Sequence, residues 1–112
     1  MPDPKVIELI KKLISFDTTS RNSNLDLIKF IEDYLTSHGI ESTLIYNEGE
    51  GKANLYATLG DPTKSGVMLS GHTDVVPVDG QDWDTDPFKV VAKDGKLFGR
   101  GTSDMKSFIA LV

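Results

Sequence analysis

The 112-residue sequence predicts an α/β domain, on three observations. Two early stretches carry apolar residues at helical spacing, several later stretches alternate or run apolar as strands do, and clusters of turn-forming residues separate them. Two helices ahead of several strands, with more helix to follow, suit a layered domain rather than a bundle or a sandwich.

Asp3 followed by Pro4 reads as an N-cap with proline in the first turn, where its missing N–H costs nothing. Val6, Leu9, Ile10, Leu13 and Ile14 then share one helical face, which predicts a helix over 4–15. After Phe16 the run Asp17-Thr18-Thr19-Ser20-Arg21-Asn22 is polar and reads as a loop. Ser23 with Asp26 resembles a capping box, and Leu27, Phe30, Ile31, Tyr34 and Leu35 predict a second helix that closes at His38-Gly39. Histidine is the commonest metal ligand, but at a helix C-terminus an imidazole also suits the negative end of the dipole, and His38 is given that capping role.

Residues 40–46 are rich in β-branched and aromatic side chains and read as a strand, ended by the turn at 47–51. Ala53, Leu55, Ala57 and Leu59 alternate with polar or amphipathic neighbours, the pattern of a half-buried strand. A turn at 61–66 leads to Val67-Met68-Leu69, read as a short buried strand. In the acidic loop 78–86, Trp83 reads as an anchor pinning the loop rather than a substrate contact. Residues 88–93 and 96–98 flank Asp94-Gly95 as a hairpin. Residues 107–112 read as the opening of a helix with neither cap nor polar tail, so the chain is expected to be the amino-terminal piece of something longer.

Composition narrows the function classes. With 38% hydrophobic residues the chain has room for one domain. Twelve Lys and Arg against 17 Asp and Glu leave a net charge of −5, which argues against nucleic acid as a partner. There is no cysteine, hence no disulfide and no thiolate metal site. No secretory signal and no membrane-length apolar run are present, so no membrane is expected and a cytoplasmic location is the default.

Chemistry concentrates in two segments. In Ser70-Gly71-His72-Thr73-Asp74, His72 and Asp74 are two residues apart and face the same side of an extended backbone. Three readings compete there: a hydrolytic triad of Ser70, His72 and Asp74, disfavoured because triad groups converge from separated positions; a structural histidine satisfied by Asp74; and a metal-ligating imidazole steadied by a carboxylate. In Gly99-Arg100-Gly101-Thr102-Ser103-Asp104 the glycine spacing falls short of a dinucleotide fingerprint. Asp104, taken alone, reads as the N-cap of the last helix or as a carboxylate able to bridge cations.

Together, SGHTDVVP (70–77) and GRGTSDMK (99–106) resemble the M20 family of metallopeptidases and amidohydrolases. The resemblance also takes in Ser15-Phe16-Asp17-Thr18-Thr19-Ser20, Asn54-Leu55-Tyr56-Ala57, 83–88 and 94–98. It implies a zinc-dependent exopeptidase-like catalytic domain, a mixed sheet flanked by helices, with residues 1–112 as its N-terminal portion. It implies His72 as the first metal ligand, Asp74 as the catalytic-site carboxylate that orients and tunes it, and Asp104 as the carboxylate bridging two Zn2+ (or Co2+), with a cis Asp104-Met105 peptide. Arg100 and Lys106 match the motif and are given structural roles; Ser107 departs from the family's usual glycine. The general base and the remaining ligands of the family lie downstream of Val112. Within the family the similarity is first to the branch that releases acetate from an N-acyl amino acid and second to the branch that releases succinate. A small N-acyl amino acid substrate and a homodimer of the full-length protein follow by the same resemblance. A non-catalytic binding or assembly module of the same fold is the reading from another class.

Overall fold

A computed structural model describes residues 2–112. They form two compact units, one made of the segment ending at Asn22 together with Ser70–Val112, the other of Ser23–Leu69.

In the first unit, α1 (Pro4–Ser15) begins as the sequence predicts: the Asp3 carboxylate accepts from the Lys5 N–H at 2.7 Å, with proline in the first turn. Ile10, Leu13 and Ile14 are buried along its inner face, each contributing about 1.5–3 kcal/mol of apolar burial. They pack toward α3 (Lys106–Leu111), whose Ala110 is also buried. β3 (Val91–Lys93) and β4 (Lys96–Phe98) form an antiparallel hairpin, and its turn residues Asp94 and Gly95 have φ of 52° and 71°. Positive φ at both central positions is the primed turn that matches strand twist. Trp83 sits 5.4 Å from the Arg100 guanidinium, and both side chains donate to Gln81 Oε1, which ties the acidic loop to the start of the GRGTSDMK turn.

In the second unit, α2 (Leu25–Ser37) covers the antiparallel pair β1 (Ser42–Tyr46) and β2 (Ala53–Ala57). Leu44 stands opposite Leu55 and both are half-buried, while Thr43 and Tyr56 on the other face are exposed. His38 caps α2 as expected, its Nδ1 lying 2.9 Å from the Tyr34 carbonyl.

Four expectations need correction. The capping box at Ser23 is absent: Asn24 is the N-cap of α2 and caps nothing, because its side-chain amide exchanges two hydrogen bonds with the Ala53 backbone at 2.9 and 3.0 Å. Ser23 Oγ instead accepts from the Leu25 N–H. The buried face of α2 is turned toward Ile28, leaving Tyr34 exposed. The alternating strand stops at Ala57, and Leu59 is exposed.

The largest correction concerns the sheet. Val67, Met68 and Leu69 are not a buried strand; they are 88%, 74% and 59% exposed and pair with nothing among the described residues. Apolar composition reports a demand for burial, but a strand forms only where a neighbour accepts its backbone hydrogen bonds. Among the described residues the strands therefore make two separate two-stranded ribbons rather than one mixed sheet. No described helix is long and apolar enough to cross a membrane.

Candidate metal centre

The segment 70–77 carries no regular strand, and its position comes from the loop that follows α1. Val75, buried, forms a parallel bridge with Thr19: the Val75 N–H donates to the Thr18 carbonyl and the Ser20 N–H donates to the Val75 carbonyl, both at 3.1 Å. Below it, the Gly99–Lys106 turn is closed by the Thr102 N–H to the Gly99 carbonyl and the Lys106 N–H to the Gly101 carbonyl. The Asp104–Met105 peptide is cis, in agreement with the family resemblance.

These two loops bring the candidate residues together. His72 Nδ1 lies 3.0 Å from the Asp74 carbonyl and 3.1 Å from Asp74 Oδ1, while Nε2 lies 3.0 Å from Asp104 Oδ1. Asp104 does not cap α3: that role falls to Met105, without a side-chain bond, and the Asp104 carboxylate is spent on the histidine instead. The His72 backbone N–H donates to Met105 Sδ at 3.4 Å, a second tie between the loops.

The protonation of the imidazole follows from its neighbours. Partial burial pulls the His72 pKa down, but the hydrogen bonds to the Asp74 carbonyl and the Asp104 carboxylate, with the charges of Asp74 and Asp104, outweigh it and hold the pKa above its ordinary value. Nδ1 faces only acceptors and so carries a proton. Nε2 then presents either a second proton or a lone pair to the Asp104 carboxylate. Two acceptors face to face are relieved by a cation between them, so His72 and Asp104 suit a metal ion that takes one nitrogen and one oxygen donor. They supply two donors where zinc normally takes four, and no group of three or more His, Cys, Asp or Glu side chains gathers around a cation position among the described residues.

Close packing holds the loops at this separation. A Cβ at Gly71 would meet Ile109 Cγ1 and Phe108 Cδ1 at 3.2 Å and Met105 Cε at 3.3 Å. Gly101 is more constrained, with φ +95° and a would-be Cβ 3.2 Å from Val75 Cγ1 and 3.3 Å from Ile14 Cδ1. Gly101→Ala is expected to destabilise the protein by about 1–3 kcal/mol, read as a lowered urea midpoint. An unchanged midpoint would mean that the turn relaxes without cost.

His72, Asp74 and Asp104, the residues expected at a metal site, all lie at this one position. Thr18 and Thr19, expected in a polar loop, are instead 3% and 1% exposed. Adjacent β-branched residues are poor turn formers and good edge partners, and that was the available signal.

Comparison with known proteins bears on the same residues. Residues 68–112, which contain all three, match the sequence profile of Peptidase family M20/M25/M40. The chain is 41% identical over 116 aligned residues to acetylornithine deacetylase of Pasteurella multocida (strain Pm70) and 41% to that of Proteus mirabilis (strain HI4320). It is 40% identical to acetylornithine deacetylase of Photorhabdus laumondii subsp. laumondii. Each alignment takes in 97% of this chain and 30% of the relative, so the chain spans about 30% of the length of the curated relatives it matches. The match to the M20/M25/M40 profile thus covers the part of the chain that holds SGHTDVVP and GRGTSDMK, and the likeness to relatives named acetylornithine deacetylase covers nearly the whole chain.

Proposed function

We propose that these residues form part of the zinc-dependent catalytic domain of an M20 amidohydrolase, and that the whole protein removes the acetyl group from N-acetyl-L-ornithine to give acetate and L-ornithine. The observation that carries the reading is the 3.0 Å approach of His72 Nε2 to Asp104 Oδ1, across 32 residues of chain, with Asp74 on the opposite ring nitrogen. The name shared by the relatives supports the choice of substrate. A role in arginine biosynthesis, a cytoplasmic location and a homodimer of the full-length protein belong to the same reading.

The residues divide the work. His72 offers Nε2 as a neutral nitrogen donor, Asp74 keeps the proton on Nδ1 and fixes the ring plane, and Asp104 offers a carboxylate with a second oxygen for a neighbouring cation. Two zinc ions held there would polarise the scissile carbonyl and acidify a water at neutral pH. Asp74, by stabilising a positively polarised imidazole, raises the basicity of the donor nitrogen.

Turnover by the zinc-loaded full-length protein tests the reading. N-acetyl-L-ornithine is expected to be hydrolysed with at least about tenfold higher kcat/KM than N-succinyl-diaminopimelate, a margin of roughly 1.4 kcal/mol. The reverse preference would reassign the substrate, and a zinc-loaded protein that hydrolyses neither would favour the non-catalytic module. With only two of about four donors, the 112 residues by themselves are expected to bind zinc weakly and to show no turnover.

A further inference from the structure

The loop after α1 touches both halves of the candidate centre. Thr18, 3% exposed, donates its hydroxyl to the Thr73 carbonyl at 2.6 Å, and Thr73 is the residue between His72 and Asp74. Two residues earlier, the Phe16 carbonyl accepts from Lys106 Nζ at 2.7 Å, and Lys106 lies two residues beyond Asp104. Asp17 between them is braced by Thr19, whose N–H and hydroxyl both donate to Asp17 Oδ1 at 3.1 and 2.6 Å. One short segment thus holds the Thr73 carbonyl, one residue beyond His72, and the Lys106 side chain, two residues beyond Asp104, and neither grip involves a donor atom.

We infer that Thr18 is a positioning residue of the metal centre. Its hydroxyl fixes the Thr73–Asp74 peptide, one residue beyond His72, while the same segment fixes the Lys106 side chain beyond Asp104, so residues 16–19 set the separation of the two donors. A metal ion rewards donors held at the right spacing and is bound less tightly when one of them must be reordered on binding. The Thr18 hydroxyl acts on the backbone that carries His72. Its loss is expected to appear in metal affinity and coordination rather than in the presence of the fold. The inference rests on the reading that His72 and Asp104 hold the metal.

Thr18→Val and Thr18→Ser in the full-length protein separate the hydroxyl from the packing. Zinc affinity is measured by chelator competition and coordination by the visible absorption of the Co2+-substituted protein, with far-ultraviolet circular dichroism to confirm the metal-free fold. Thr18→Val is expected to bind zinc about tenfold more weakly with a changed Co2+ spectrum, and Thr18→Ser to restore both. Should Thr18→Val not fold, Thr18→Ala takes its place against the same serine variant. A valine or alanine variant that binds as tightly as the wild type, or a serine variant as weak as the valine, would overturn the inference, the latter because the hydroxyl would then not restore binding. Wild-type protein that takes up no stoichiometric metal would instead overturn the parent reading, and this inference with it.

Discussion

Asp104→Ala is expected to weaken zinc binding by the full-length protein about 100-fold or more and to abolish measurable turnover. Binding free energies of about 10–16 kcal/mol shared among about four ligands assign each roughly 3 kcal/mol, which is a little over 100-fold in affinity. His72→Ala should lose a similar amount. Because both side chains are proposed to grip one cation, each single variant should weaken the same zinc-binding event and the double variant should weaken it further than either. Equilibrium dialysis of the four proteins measures this, and a variant at either position that binds zinc as tightly as the wild type would remove that residue from the centre. A pH dependence follows from the raised pKa of His72. The imidazolium form cannot coordinate, so zinc affinity should fall by about tenfold for each pH unit below that pKa, and the fall should begin above the pH at which an unperturbed histidine titrates.

Lys106→Ala is expected to destabilise the protein by about 3–5 kcal/mol, more than Gly101→Ala. The side chain is fully buried, and its ammonium donates to the Phe16 carbonyl at 2.7 Å. Alanine would leave both a cavity and a carbonyl stripped of that donor. Lys106→Met fills the volume and should cost only about 1–3 kcal/mol, chiefly for the carbonyl. Burial pushes the Lys106 pKa down to about 8, against a smaller upward pull from the Asp17 carboxylate. The folded state therefore releases this proton at lower pH than the unfolded chain, so the unfolded state binds more protons between about pH 8 and 10.5 and stability should rise with pH across that window. At about 1.4 kcal/mol per unit the gain is up to roughly 3 kcal/mol. Urea midpoints from pH 7.5 to 10 should rise for the wild type relative to Lys106→Met. Parallel curves would show that Lys106 is not the group responsible.

Local chemistry was legible in the sequence wherever a segment supplies its own partners. Asp3-Pro4 with its apolar stripe specifies α1, and Asp94-Gly95 specifies the β3–β4 turn, because each needs only its own neighbours. Elements whose partners lie elsewhere were misread. Asn24 was overlooked because its role depends on Ala53, 29 residues away, and Val67-Met68-Leu69 was assigned to a strand although no described segment pairs with it. The site divides in the same way. His72 and Asp74 could be joined from their spacing, and Asp104 was linked to them through the motif resemblance rather than through any local rule. Thr18 stayed hidden, since its partner is a main-chain carbonyl 55 residues on, and side-chain patterns do not register backbone acceptors.

The central claim is that His72 and Asp104 hold one cation between them, and crystals of the zinc-loaded full-length protein test it most directly through anomalous scattering at the zinc edge. The expected result is a zinc peak about 2.0–2.2 Å from both His72 Nε2 and an Asp104 carboxylate oxygen, with Asp74 still on Nδ1. A zinc peak elsewhere, with His72 and Asp104 still hydrogen-bonded directly to each other, would contradict it.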